Sequence, residues 1–324
     1  MEQKYPHTKE KVAKPRPFLK WAGGKGQLLE TFRRYYPKEL KDGKIKHYYE
    51  PFLGGGAVFF DIISRYPVEK AYLYDINEEL ILVYQVVQQK VEELIAQLRV
   101  YETTYKVLMP EKRNEMYYDV RNQYNEERTK IDHTTFQEAW IGRAAKMIFL
   151  NKTCYNGLFR LNQKGEFNTP AGDYKNPSIC DDKNLGLVSE VLQKAVIRQG
   201  DFRQVEADIK TPAFVYFDPP YRPISKTASF TAYSRHAFAD EQQKELAQTF
   251  GRLAAKDAKV MLSNSDPKNE NKQDHFFDDL YQQWHIHRVQ ARRAINSNAQ
   301  KRGSVKELII TDYPTRKTYG KSGK

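Results

Sequence analysis

IKHYYEPFLGGGAVFFDIISRYPVEKAYLYD, residues 45–75, is the stretch on which the architecture turns. IKHYYE reads as a short strand, and three glycines follow it in a tight turn. A helix is expected from about Ala57 to Arg65, then a second strand at 71–75. Apolar residues spaced for a helix between two β-rich runs make a βαβ unit, whose two strands lie parallel. Glycines at the strand-to-helix turn let backbone approach a ligand more closely than any side chain would allow.

Two familiar phosphate cradles can be tested against that turn. A Walker A loop needs Lys followed by Ser or Thr, but Lys25 in WAGGKG precedes Gly26. A dinucleotide fingerprint needs a third glycine where Phe59 stands. Pyrophosphate binding is therefore not indicated. Asp75, at the end of the second strand, lies about 20 residues beyond the turn, where a carboxylate commonly accepts hydrogen bonds from ribose hydroxyls. An adenosine-containing ligand without a diphosphate fits, and S-adenosylmethionine is the candidate. The same residues also suit a plain tight turn with Asp75 capping the next helix.

Working outward, residues 78–101 carry helical spacing of apolar positions, and 136–150 form a second such run. Residues 151–177 are rich in Asn, Gly, Lys and Tyr, which favours short hairpins and exposed loops. Strands are expected at 195–200, 213–217, 258–263 and 306–312, with a helix over about 240–254. The pattern is an α/β domain, 1–79 and 196–324, into which residues 80–195 are inserted.

At 213–217 the apolar strand AFVYF runs directly into Asp218, Pro219, Pro220 and Tyr221. In open α/β sheets, ligands bind at this edge. Two prolines fix the turn and remove two amide donors, leaving carbonyls and the Asp218 carboxylate to accept from an NH2 group. Tyr221 supplies a flat face for a base. The exocyclic amine of a purine shares its lone pair with the ring and is a poor nucleophile. Holding its N–H bonds in acceptors draws the nitrogen toward tetrahedral geometry, and no covalent enzyme intermediate is required. Neither Cys154 nor Cys180 follows a proline as a nucleophile would.

The chain has 324 residues and a net charge of +12. Residues 1–46 carry a net +8 and residues 288–324 another +8, so the middle is slightly acidic. A basic excess at the two ends becomes a one-sided field if the fold joins them, which suits nucleic acid. Arg288, Arg292, Arg293, Lys301, Arg302 and Lys306 flank NSN at 296–298, a turn whose amides suit phosphate, which makes Arg293 and Asn298 candidate DNA contacts. No apolar run approaches the ~20 residues of a membrane span. With no secretory signal and two cysteines outside any CxxC pair, a cytoplasmic location is expected. His285 and His287 lack further ligands nearby, so no metal site is expected.

Taken together, PFLKWAGGK at 17–25, EPFLGGGAVF at 50–59, DIN at 75–77 and DPPY at 218–221 closely resemble the Dam-type DNA adenine methyltransferases, in the motif order of their α group. YNGLFRLNQKGEFNTPAGDYKNP at 155–177 resembles the family's recognition hairpin. The resemblance implies a Rossmann-like methyltransferase sheet using S-adenosylmethionine, with 80–195 as a helical and hairpin target-recognition domain, and transfer to adenine N6 in double-stranded DNA by base flipping. It implies cofactor contacts from Trp21, Ala22, Gly23, Lys25, Glu50, Gly54, Gly56, Asp75 and Asp218, with Asp201 and Phe202 on the adenine side. Tyr155 and Asn156 resemble residues that fill the gap left by an extruded base. Leu158, Arg160 and Pro170 resemble readers of base edges, with Lys20 and Tyr174 at the outer guanine. Such hairpins usually accompany GATC. Asp173 departs from the pattern, standing where many relatives carry Arg. A monomer or weak dimer is expected, and a cognate restriction endonuclease is left open.

Rival readings are methylation of another planar amine (RNA adenine, cytosine N4, a protein glutamine) and a non-catalytic DNA-binding protein. Asp at the head of DPPY favours adenine. Intact Lys25, Asp75, Asp218 and Tyr221 argue for turnover.

Overall fold

The computed structural model describes residues 13–222, 238–292 and 304–315. The chain opens with α1 (Leu29–Tyr35) and α2 (Lys38–Lys41), then β1 (His47–Glu50), α3 (Ala57–Ile63), β2 (Lys70–Asp75) and α4 (Glu78–Gln89). Next come α5 (Val91–Val107), α6 (Pro110–Glu127), α7 (Ala139–Thr153), α8 (Asp182–Leu192), β3 (Ala195–Gln199), α9 (Gln204–Asp208) and β4 (Ala213–Phe217). It closes with α10 (Asp240–Ala255), β5 (Lys259–Ser265), α11 (Phe276–Leu280), β6 (His285–Arg292) and β7 (Ser304–Thr311).

The strands form a single sheet in the order β3-β2-β1-β4-β5-β7-β6. β1 to β5 are parallel; β7 runs antiparallel to β5, and β6 to β7. From β1 the chain proceeds outward to β2 and β3, then returns to the other flank of β1 as β4. The strand order therefore reverses between β1 and β4. At such a switch point the connections leave the sheet on opposite sides and open a crevice at the strands' C-terminal ends, the edge from which both the glycine turn and DPPY emerge.

Burial on both faces explains the unbroken apolar run of β4. Phe214 and Tyr216 pack into one core with Tyr48, Met261 and Ile309. Ala213, Val215 and Phe217 face a second core with Tyr49, Tyr74, Leu262 and Leu308. A strand covered on both sides has no polar alternation to show. Described parts of the two basic segments meet: Tyr313 donates its hydroxyl to the Tyr35 carbonyl at 3.1 Å, and the Tyr35 ring also packs on His287 of β6 at 4.8 Å.

The helix expected over 78–101 is two helices. Lys90, at φ −140° and ψ 42°, ends α4 and starts α5. α4 packs on β2 and β3 as well as on α7, whereas α5 packs on α7 and α8. The apolar spacing continues across the break, and neither Gly nor Pro marks it. α6 and β6 also arise where no element was expected. Among the described residues no helix is long and apolar enough to cross a membrane.

Candidate active site

The glycine turn is held by the acid that ends the next strand, β2. Asp75 Oδ2 accepts the Gly54 amide at 3.0 Å and Oδ1 the Asn77 amide at 2.9 Å. Asn77, not Asp75, caps α4, accepting the Leu80 amide at 3.1 Å. Burial raises the Asp75 pKa, and the amide bonds oppose the rise. Gly54 lies at φ +48°, and a Cβ there would stand 2.9 Å from Trp21 Cδ1. Only glycine combines that backbone with so close an approach of the indole. Gly56 is similarly confined, at φ +67° with the Tyr84 hydroxyl 2.7 Å from any added Cβ.

Glu50 closes β1 behind this turn. It is 2% exposed and accepts the Tyr48 hydroxyl at 2.6 Å. Burial pushes its pKa up to about 8, with the nearby Asp218 and Asp75 adding to the rise. A carboxyl in that range holds its proton at neutral pH unless a cation joins it.

DPPY leaves the neighbouring strand at the same edge. Lys25, 5% exposed, places Nζ 2.8 Å from Asp218 Oδ1, 2.8 Å from the Gly23 carbonyl and 4.7 Å from the centre of the Tyr221 ring. Asp218 also accepts from Ser263 Oγ at 3.0 Å, and Ser263 is joined to the Tyr216 hydroxyl at 2.7 Å. These groups aim the carboxylate across the end of β4. Burial raises its pKa, against the lowering effect of Lys25 and Ser263. The Pro220 carbonyl, expected to face substrate, accepts instead from Gln243 Nε2 at 3.2 Å. Gln243 is wholly buried on α10 and itself accepts from Asn264 Nδ2 at 3.3 Å. The DPPY turn is thus clamped from behind by an amide pair that nothing in the motif announces.

A cleft of about 450 Å³ gathers Lys20, Trp21, Ala22, Gly23 and Lys25 with Asn156, Leu158 and Tyr221, and adds Ser265, Asn269 and Glu307. The first loop and the hairpin are therefore one wall. Asn151, at the end of α7, joins them: its side chain accepts the Lys20 amide at 2.8 Å and donates to the Lys20 and Gly157 carbonyls at 2.8 and 3.1 Å. Trp21 stacks on Phe159, ring centres 5.5 Å apart. Lys20 Nζ reaches the Tyr174 hydroxyl at 3.3 Å and covers its ring at 4.5 Å.

The hairpin is two isolated β-bridges, Cys154 with Ala171 and Leu161 with Phe167, rather than a continuous ladder. Tyr155 is 56% exposed and Asn156 sits at φ +57°. The Pro170 carbonyl accepts the Tyr155 amide at 2.9 Å, the Leu158 carbonyl accepts Thr169 Oγ1 at 2.7 Å, and Arg160 Nε donates to Asn168 Oδ1 at 3.1 Å. α6 supports it from below, with Tyr117 donating to the Thr169 carbonyl and Asn125 pairing with the Phe167 backbone. Tyr105, Tyr117 and Tyr124 are buried packing residues. Asp173 is exposed.

Other candidates lie further out. Asp201 pairs with Arg203, and Phe202 is buried against Phe52 with ring centres 5.8 Å apart. They adjoin the glycine turn's acid through the Gly200 amide, which donates to the Asp75 carbonyl at 3.0 Å. Arg288 is engaged by Asp266 and Asp278 at 2.9 and 2.8 Å. Arg293 and Asn298 fall outside the described residues. Ser263, Gln243, Asn151 and Glu307 escaped the sequence reading, because each belongs to the site through partners distant in the chain.

A family model described as D12 class N6 adenine-specific DNA methyltransferase matches residues 21–295. The chain is 46% identical over 299 residues to type II methyltransferase M.MjaIII of Methanocaldococcus jannaschii, covering 92% of this chain and 99% of that protein. It is 36% identical to type II methyltransferase M1.LlaDCHI of Lactococcus lactis subsp. cremoris, over 92% of this chain and 95% of that one. With the DNA adenine methylase of Escherichia coli K12 it shares 35% identity over 94% of this chain and 97% of that protein.

Proposed function

Because the chain belongs to the D12 class of N6 adenine-specific DNA methyltransferases, we propose that it transfers a methyl group from S-adenosylmethionine to the N6 of an adenine turned out of double-stranded DNA, within GATC. The observation that carries this reading is the meeting of Lys25, Asp218 and Tyr221 at the reversal of strand order, next to the glycine turn.

The glycine turn and the acids around it suit that cofactor. A side chain at Gly54 or Gly56 would fill the turn, and Glu50, Asp75 and Asp218 supply acids on one sheet edge for a ligand that carries cationic centres and ribose hydroxyls. S-adenosylmethionine, when bound, supplies a methyl carbon on a sulfonium. This chain's residues prepare the acceptor. Asp218, steadied by Ser263, takes an N–H bond of the target amine, and the Pro219 carbonyl takes the other. With its N–H bonds held, the nitrogen lone pair is withdrawn from the ring and free to form the new N–C bond, for which a bound S-adenosylmethionine would supply the carbon and keep the C–S pair on sulfur. The proton shed by N6 leaves through the Asp218 carboxylate to water.

Lys25 occupies the donor position beside Asp218 and covers the face of Tyr221, so the arriving base displaces its ammonium from both. Extruding a paired base costs a few kcal/mol, while one aromatic stack returns about 1–3 kcal/mol. Tyr221 alone does not hold the base out. The Asp218 bonds, filling of the vacated stack by Tyr155 and Asn156, and phosphate contacts make up the difference. Leu158, Arg160, Pro170, Lys20 and Tyr174 read the flanking bases, as parts of a target-recognition insertion spanning 80–195 whose α4 and α8 pack on the sheet. Exposure of Asp173 leaves its charge in water, which is compatible with GATC. Transfer of tritium from labelled S-adenosylmethionine to a GATC duplex, but not to RNA or to a duplex lacking adenine in that context, tests the proposal. Labelling of RNA in preference to DNA would overturn it.

A further inference from the structure

We infer that Glu307, on β7, is a positioning residue for methyl transfer, fixing the Tyr221 ring through its hydroxyl. The inference rests on the reading of Tyr221 as the stacking face. Tyr221 leaves the end of β4, passes beyond β5, and donates its hydroxyl to Glu307 Oε2 at 2.9 Å. Glu307 pairs in register with Ser265 of β5 and Val289 of β6, so its backbone is pinned on both sides. It lines the same cleft as Lys25 and Tyr221.

Placing a carboxylate there is costly. Burial raises the Glu307 pKa, and Asp218 adds to the rise, against lowering by Lys25 and by the Tyr221 bond. A phenol exposed to water would satisfy its hydroxyl without any of this. What the carboxylate adds is direction. A phenolic O–H prefers the plane of its ring, because the oxygen lone pair is conjugated with it, so a fixed acceptor biases rotation of the ring as well as its reach. A charged acceptor also makes the stronger bond. The opposite constraint comes from Lys25, whose ammonium lies over one ring face. Edge held by Glu307 and face held by Lys25, the ring keeps its plane beside Asp218 before the base arrives, and Glu307 continues to hold it once Lys25 has moved.

Phenylalanine at 221 would keep the stack and lose the anchor, which makes a double-mutant cycle decisive. Measured on the full-length protein with a GATC duplex, Tyr221→Phe and Glu307→Ala are each expected to lower kcat about tenfold with KM for S-adenosylmethionine unchanged. The double variant is expected to be no slower than Tyr221→Phe alone. Glu307→Gln, which retains a carbonyl acceptor, should restore most of the rate and guards against loss through misfolding. An equal further loss from Glu307→Ala in the Tyr221→Phe background, or a folded Glu307→Gln as slow as Glu307→Ala, overturns the inference. Asp218→Asn, run alongside, separates the two levels. Its retention of full activity would defeat the assignment of the site itself, whereas its inactivity beside an additive cycle would defeat the role of Glu307 alone.

Discussion

The Lys25 ammonium and the Asp218 carboxylate are joined at 2.8 Å across the edge of the sheet, with the Tyr221 ring beneath the ammonium. One residue comes from the loop before α1 and the other from the end of β4, so this pair couples that loop to the DPPY turn.

Asp218→Ala is expected to abolish methyl transfer while leaving most DNA affinity, because phosphate contacts dominate binding and none of them requires this carboxylate. Its loss also strands a buried ammonium, an arrangement costlier than removing both charges. Lys25→Met combined with Asp218→Ala should therefore melt higher than Asp218→Ala alone. Filter binding, tritium transfer and thermal melts of the variants check the three statements; full activity of Asp218→Ala would remove Asp218 from the mechanism.

Glu50 should give the protein a pH signature. Its pKa stands at about 8 in the folded chain against an ordinary value of 4.5, so the native state holds the proton more tightly than the unfolded one. The associated stability is complete below pH 4.5 and is lost as pH rises through 8, an effect on the order of a few kcal/mol. Urea unfolding at pH 5 and pH 8.5 should show a loss in the wild type that Glu50→Gln largely lacks. Binding of a cationic methyl donor nearby should draw the proton off, seen in calorimetry as a buffer-dependent heat at pH 7 that Glu50→Gln abolishes.

Gly54→Ala meets both a left-handed backbone and the Trp21 indole at 2.9 Å. A destabilisation of about 1 kcal/mol or more is expected from the backbone alone, together with weaker cofactor binding as Trp21 is pushed aside. Equilibrium dialysis with labelled S-adenosylmethionine measures the second effect, and unchanged affinity would show that the turn does not meet the ligand.

Arg160→Ala should relax sequence preference more than it weakens binding, since a bidentate guanine contact is worth about 1–3 kcal/mol of discrimination. Asn168→Ala should do the same more weakly, because Asn168 holds Arg160 Nε at 3.1 Å. Methylation rates on GATC and on singly substituted duplexes decide this. An equal fall on every sequence would make Arg160 a phosphate contact instead.

Much of the fold is visible in short stretches, because a strand, a turn and a helix each leave a local signature. The βαβ unit at 45–75 follows from the alternation between apolar strand and glycine turn, and β7, which lies between β5 and β6, from its Leu-Ile-Ile run. β6 did not stand out, since His285, His287 and Arg288 interrupt its apolar positions, and the burial of Val289 and Ala291 depends on pairing with β7. The break at Lys90 was hidden for the opposite reason: the helical period runs through it, and only the tertiary packing of α5 on α7 and α8 takes it off the sheet.

By itself, the sequence determined which stretches stand as candidates for chemistry: the glycine turn, the acid at 75, the DPPY corner and the hairpin at 155–177. Each is a contiguous set of residues whose backbone needs are local. Tertiary structure decided who holds them. Glu307 lies 86 residues beyond Tyr221 and Asn151 lies 131 beyond Lys20, separations at which no periodicity or spacing survives. The sheet order, by reversing between β1 and β4, brings those distant groups to one edge, and buried carboxylates and amides without water must find their partners there.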